Sequence, residues 1–443
     1  VLSALPGNEY GRSSGTAEAS AQVAGIAALV RQRIAVDPMF AGMSAADKDA
    51  VVANFLMGTA HPVVDATQAD GAFYSPRQVG SGLVDAVGAT TSPVYPSVVG
   101  AANPSRPKAD LGDGTDGWTF QVQLTNVSDD AHTYTLGGQA LSEVVEGELF
   151  TQHSKNWAGA GIDLTFSADS VTVPAQSSAS VTVTVTPQAA FASYANANAP
   201  KGTFIDGAVT FTSTDGQPDL TVPYMGFYGS WGVPNIFDGK WYDGTTSTAH
   251  ACSSTLMNPA TDVPLGALNP LDGQDSTAVR AVDPAYFIMS RSTAQEAPNK
   301  MLPRTCLLRN TPKLTYTYTN EAGETVRSYT FERAKKSLFN YSSGAILPVE
   351  SQEGNNPIFD GFDKDGNELP DGRYTLTIEG SSVAPSSTTQ QVTWEFTLDT
   401  QAPTISNVAV TGEGDGRVVS FDVSDNSPLA GIAFSESPTS RHY

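Results

Sequence analysis

Apolar positions along this chain keep two different rhythms. In the first ninety or so residues they recur at helical spacing. Val23, Ile26, Ala27 and Val30 form one such face, within a stretch of small residues from Gly15 to Val30. The pattern predicts a helix that starts at a Gly15-Thr16 turn and runs to about Ala35, where Pro38 and Gly42 break it. Small residues on every side suit a helix that passes through the middle of a packed domain. A second helix is predicted from Ser44, with Asp47 as capping partner three residues on and apolar positions at Val51, Val52, Phe55 and Leu56. His61 and Asp65 follow in a loop, and His61 reads as a solvated loop histidine.

The rhythm changes after the prolines at 93, 96, 104 and 107. Alternation takes over at Trp118, Phe120, Val122 and Leu124, then at Tyr134 and Leu136, at Ile162, Leu164 and Phe166, and at Val171 and Val173. It continues at Val181, Val183 and Val185, at Val209 and Phe211, and at Leu220 and Val222. Period-2 runs between Asn-, Gly- and Asp-rich turns predict an antiparallel sandwich over residues 94–230. Residues 231–400 form a second β-rich unit, irregular from Pro234 to Pro284. Its strands are predicted at Tyr286–Met289, Leu314–Tyr318, Val326–Phe331, Tyr374–Ile378 and Val392–Leu398. Residues 401–443 start another such domain, with strands at Ile405–Val410 and Val418–Val423, too few to close a sandwich. The expected fold class is mainly β with a smaller α/β portion at residues 1–93.

Length and charge narrow the functions. A chain of 443 residues has room for about three domains. A formal charge of −22 argues against nucleic acid as a partner, because phosphate binding needs a basic surface. No run of eighteen apolar residues is present, so no membrane-spanning helix is expected. A Gly/Thr/Ser/Pro-rich composition with little charge fits an extracellular β-protein. Cys252 and Cys306 are the two cysteines, either a disulfide or two buried thiols.

The stretch Gly15-Thr16-Ala17-Glu18-Ala19-Ser20-Ala21-Gln22-Val23-Ala24-Gly25 resembles the nucleophile segment of the subtilisin-like serine proteases, Gly-Thr-Ser-x-Ala-x-Pro-x-Val-Ala-Gly. Gly15, Thr16, Ala19, Val23, Ala24 and Gly25 match it. Ala17 stands where the family has its nucleophilic serine, Glu18 where it usually has methionine, and Ala21 where it has proline. Ser75 to Val87 resembles the segment that closes the same catalytic domain, a Gly-x-Gly turn into a last helix, here with Gly80 and Gly82. Val222 to Trp231 resembles the closing segment of the fibronectin-III-like domain in the large cell-envelope subtilisins, the lactocepins and complement-cleaving peptidases of Gram-positive bacteria.

The resemblance implies a subtilisin-like portion at 1–93, a fibronectin-III-like sandwich at 94–230, a second fibronectin-III/immunoglobulin-like domain at 231–400, and the start of a further one at 401–443. It implies an extracellular, cell-envelope location and, for the parent enzyme, cleavage of protein substrates. Its chemistry is broken here. A serine at a helix N-terminus attacks with the help of a histidine base and an orienting acid. Ala17 has no oxygen, and no Asp or His precedes it, although the family's chain order is Asp, His, Ser. The sequence therefore reads as opening inside a catalytic domain, past its acid and base, and this chain alone is expected to be inactive. Ser20, three residues on, reads as a capping or packing hydroxyl.

A partial domain would leave the apolar face of the first helix uncovered. A companion polypeptide with the N-terminal half of the catalytic domain, self-association, or packing on the β-domains is expected to cover it. Asp360, Asp363, Asp365 and Asn367, in a Gly/Asp-rich hairpin that resembles one in bacterial immunoglobulin-like modules, are candidate oxygen ligands for Ca²⁺. No Glu closes an EF-hand there, and a turn with solvated carboxylates is the preferred reading; no other cofactor is expected. The alternatives to a protease fragment are a natural pseudoprotease and a non-enzymatic extracellular binding or spacer module.

Overall fold

A computed structural model describes every residue except 148, 241, 246–251, 268–281, 292–298, 341, 343, 350–356, 384–386, 430–433, 438–439 and 443. Part of the irregular stretch from Pro234 to Pro284 thus lies outside the described residues. The chain is mainly β, with its longest helix near the start. It divides into two compact units, Val1–Trp231 and Gly232–Tyr443.

The first unit opens with a hairpin, β1 (Leu2–Leu5) and β2 (Glu9–Arg12). Helix α1 (Thr16–Val36) follows, then α2 (Ala45–Ala50), α3 (Val52–Gly58), α4 (Pro76–Val79) and α5 (Ala86–Thr91). The predicted cap is present: the Ser44 hydroxyl accepts from the Asp47 N–H at 3.2 Å and donates to the Asp47 carboxylate at 2.7 Å. Gly82 has φ +114°, and a Cβ there would lie 2.0 Å from the His61 carbonyl oxygen, so the Gly-x-Gly turn is a steric requirement. The core of these helices is Val30, Ile34, Phe40, Val51, Val52, Phe55 and Ala89. Within α1, only Val30 and Ile34 are fully buried. Ile26 and Ala27 are partly covered, and Val23 is exposed. The helix borders a core rather than crossing one.

Two sheets then face each other. One has the order β3 (Val94–Val98), β5 (Trp118–Asn126), β10 (Ser178–Pro187), β8 (Ile162–Phe166). The other runs β4 (Ala109–Gly114), β12 (Leu220–Tyr228), β11 (Thr203–Ser213), β6 (His132–Glu146), β7 (Leu149–Asn156), with β9 (Ser170–Val173) also on β6. The alternating residues fill the space between them. Val122, Leu124, Val183, Val185, Val209, Phe211 and Val222 are fully buried in one cluster. Helix α6 (Ala189–Asn198), which the alternation did not predict, adds Phe191 and Ala195 to that cluster, and Trp157 meets Phe191 edge-on at 5.3 Å.

The second unit has its own core. The short strands β13 (Thr255–Asn258), β14 (Val263–Pro264) and β16 (Leu302–Arg304) form one sheet. The larger sheet runs β15 (Ile288–Met289), β22 (Gln390–Leu398), β21 (Gly372–Gly380), β17 (Thr311–Asn320), β18 (Thr325–Ala334). Strands β19 (Leu338–Asn340) and β20 (Ala345–Leu347) pair separately, as do β23 (Thr404–Thr411) and β24 (Val418–Ser424). Tyr316, Tyr318, Phe359, Trp394 and Phe396 dominate the core. Cys252 and Cys306 are buried and joined by a disulfide, with Cα atoms 5.6 Å apart.

Candidate functional site

The Gly15-Thr16 turn sits at the N-terminus of α1, where the first backbone N–H groups carry partial positive charge. Gly15 caps the helix in an extended conformation, and its carbonyl accepts from the Ala19 N–H at 3.1 Å. Thr16 is the first helical residue, and Ala17 is exposed in the first turn. Glu18 accepts a hydrogen bond from the Ser13 hydroxyl, which lowers its carboxyl below the usual range. Glu18 is in the first turn, where a negative charge is favoured. The Ser20 hydroxyl donates to the Ala17 carbonyl at 2.8 Å, so it is tied to the backbone of its own helix. The turn offers an anion-friendly helix end with no nucleophile on it.

His61 and Asp65 are both engaged by other side chains. His61 Nε2 lies 3.2 Å from an Asp85 oxygen, and the Asp85 side chain also caps α5 by accepting from the Val87 N–H. Asp65 is fully buried. It accepts from the hydroxyl and N–H of Thr67, and its other oxygen lies 2.7 Å from Nδ1 of His153 on β7. The Thr67 hydroxyl above all, then His153, the Thr67 N–H and Tyr74, hold the Asp65 carboxyl down to about 2. A histidine 88 residues away could not be matched to Asp65 from spacing alone.

The same holds for the tie between α4 and the sandwich. Arg77 Nε donates to Asp206 at 2.8 Å and Nη1 donates to Glu143 at 2.8 Å. The Ser75 hydroxyl also donates to Asp206. Asp206 is fully buried on β11, and its second oxygen has no partner. Burial pushes its carboxyl up, against the pull of the Arg77 charge. The guanidinium also stacks on Phe204 at 4.5 Å, and Phe204 packs on Trp231 at 5.4 Å. The segments Ser75–Val87 and Val222–Trp231 are thus joined through Phe204 in one unit.

The calcium candidates are engaged with protein donors. Asp360 takes the Arg327 guanidinium at 2.8 Å. Asp363 accepts from the N–H groups of Asp365 and Asn367 and from the Asn367 amide, which lowers its carboxyl. Asp365 pairs with Lys364. Among the described residues, no three His, Cys, Asp or Glu side chains gather as a metal-binding group.

Residues 110–225 match the family model described as an Fn3-like domain. C5a peptidase of Streptococcus pyogenes is 23% identical over 468 residues, 94% of this chain and 39% of that protein. PII-type proteinase of Lactococcus lactis subsp. cremoris is 26% identical over 438 residues, 93% of this chain and 22% of that protein. The chain therefore spans about two-fifths or less of the length of these relatives. Among solved structures, the class 5 fimbriae chaperone CfaA aligns with 68% of this chain and 99% of its own at 10% identity and a TM-score of 0.23, which carries no argument. Along nearly its whole length the chain is a relative of the subtilisin-like proteases C5a peptidase and PII-type proteinase, with an Fn3-like domain at residues 110–225.

Proposed function

We propose that residues 1–93 are the C-terminal part of a subtilisin-like catalytic domain, seated on the Fn3-like sandwich, and that this chain does not itself hydrolyse peptides. The observation that carries the reading is the helix N-terminus at Gly15-Thr16-Ala17, which retains the oxyanion-friendly geometry and holds a methyl group where the family attacks. His61 and His153 are paired with Asp85 and Asp65, and no hydrogen bond links either to that turn among the described residues. The parent protein would be an extracellular, cell-envelope endopeptidase acting on proteins, and the disulfide suits an oxidising compartment.

The uncovered apolar surface suits contact with further polypeptide that completes the catalytic domain, whether on the same chain or on another. Leu2, Tyr10, Leu29, Val36, Leu83 and Val87 are all at least half exposed. The test is Ala17→Ser, made in this chain alone and in this chain mixed with residues of the parent that supply acid and base. A fluorophosphonate should label the A17S chain only in the mixture, with turnover of a peptide anilide. Labelling and turnover in the lone A17S chain would overturn the reading, as would no labelling in a mixture that forms a stable complex.

A further inference from the structure

Three side chains, two from one loop and one from a turn 83 residues on, meet at one end of the Fn3-like sandwich. Ser128 lies in the β5–β6 loop, His132 begins β6, and Asp215 lies in the β11–β12 turn. Ser128 Oγ is 3.0 Å from His132 Nε2, and His132 Nδ1 is 2.8 Å from an Asp215 oxygen. The order resembles a serine-protease relay, but burial forbids that role. The Asn126 amide nitrogen donates to the carbonyls of Asp130, Val173 and Pro174. Its oxygen must therefore accept, and it does so from the Ser128 N–H at 2.9 Å and the Ser128 hydroxyl at 2.8 Å. Ser128 and His132 are buried, at 8% and 6% exposure, so no carbonyl carbon can approach the hydroxyl.

What the cluster holds is the loop between Asn126 and His132. Val127, in that loop, is 4% exposed and packs in the helical core with Val30, Ile34, Phe55 and Ala89. Its N–H donates to the Pro93 carbonyl at 3.0 Å. Gln176 closes the loop from the β9–β10 turn, donating to the Ser128 carbonyl at 2.9 Å and the Val127 carbonyl at 2.8 Å. We propose that Ser128, His132 and Asp215 form an acid-released latch, which keeps Val127 seated in the core of the helical region and so couples the α5 segment to the sandwich.

The ionised Asp215 is the sensitive member. Burial alone would raise its carboxyl, but the His132 and Ser213 hydrogen bonds and the His132 charge outweigh that and lower it. The groups around it are Asp219 in the same turn, which accepts from the Ser213 N–H, and the Tyr134 hydroxyl on β6, which is buried without a partner. On the loop, Asp129 takes Gln176 and Asp130 supplies only its carbonyl. A carboxyl lowered by folding contributes stability that is present above its ordinary range and lost as pH falls through the folded value. Protonation of Asp215 weakens its hold on His132 Nδ1, and the loop is freed.

Hydrogen exchange on the full chain, corrected for intrinsic rates, tests this. At pH 7, Asp215→Asn should speed exchange at least tenfold in peptides covering 86–93 and 124–132, while β10 stays protected. Wild type should approach that behaviour as pH falls below the carboxylate range, and the variant should show no such change. Equal protection of 86–93 in wild type and variant overturns the proposal, as does an identical pH profile. If Asp215→Asn exposes β10 as well, His132→Gln decides. It should free 86–93 with β10 intact, and unchanged protection there is equally fatal.

Discussion

The two halves of the first unit treat the same apolar residue types differently. In the sandwich, Val122, Leu124, Val183 and Phe211 are fully buried, because each face has a partner sheet supplied by the same stretch of chain. In the helical region, Tyr10 is 72% exposed, Val36 74% and Leu29 51%, and α1 buries only one stripe. Strands that alternate close their own core. A helix with small residues all round needs neighbours on several sides, and residues 1–93 provide them on one. Burial in this protein follows from which partners are present, not from hydrophobicity alone.

The sharpest way to break that comparison is in the sandwich. Phe211→Ala should cost about 3–5 kcal/mol, because it empties a closed core, and denaturant unfolding of the chain would show it as a lower midpoint for the first unit. A loss below about 1 kcal/mol would mean that the sandwich core is not closed.

Next comes the tie between the halves. Arg77→Leu leaves Asp206 buried and uncompensated and should cost about 3 kcal/mol. Adding Asp206→Asn should restore most of that, since a neutral amide needs no cation. No recovery in the double variant, measured by the same unfolding curve, would mean that Arg77 acts through its stacking on Phe204 instead.

The Asp65 knot should show a pH signature. With its carboxyl held at about 2, Asp65 contributes stability above about pH 4, and that contribution fades between about 4 and 2. The gap in thermal midpoint between wild type and Asp65→Asn should be constant above that window and shrink within it. A constant gap down to about pH 2.5 would detach Asp65 from its partners.

The smallest effect is expected on α1. Leu29→Ser and Val36→Ser should change stability by no more than about 0.5 kcal/mol, because both side chains are already exposed. They should weaken any association of the chain with itself or with a completing polypeptide, read by native mass spectrometry. A large loss of stability in the lone chain would mean that this face is covered within it.

Much of the fold was legible in local pattern. Ser44 caps its helix through Asp47, as the spacing indicated. The runs at Trp118–Leu124, Val181–Val185 and Val209–Phe211 became β5, β10 and β11 with the expected residues inward. Helix α6 was missed, although Phe191, Tyr194 and Ala195 carry helical spacing, because the alternating strands on either side dominate that region. The departure of Ala17 from the family pattern was readable from eleven residues alone, whereas the partner of Asp65 was not, because it lies 88 residues on, on β7.

The sequence by itself determined the two rhythms, the turns, the caps and the alanine at the helix N-terminus, since each depends on neighbours within a few residues. The tertiary structure alone decided that Arg77 meets Asp206, that Val127 enters the helical core, and that Ser128, His132 and Asp215 converge. Most of those contacts join residues tens to more than a hundred positions apart. They are set by how the sheets and helices stack, a long-range arrangement that no local pattern encodes.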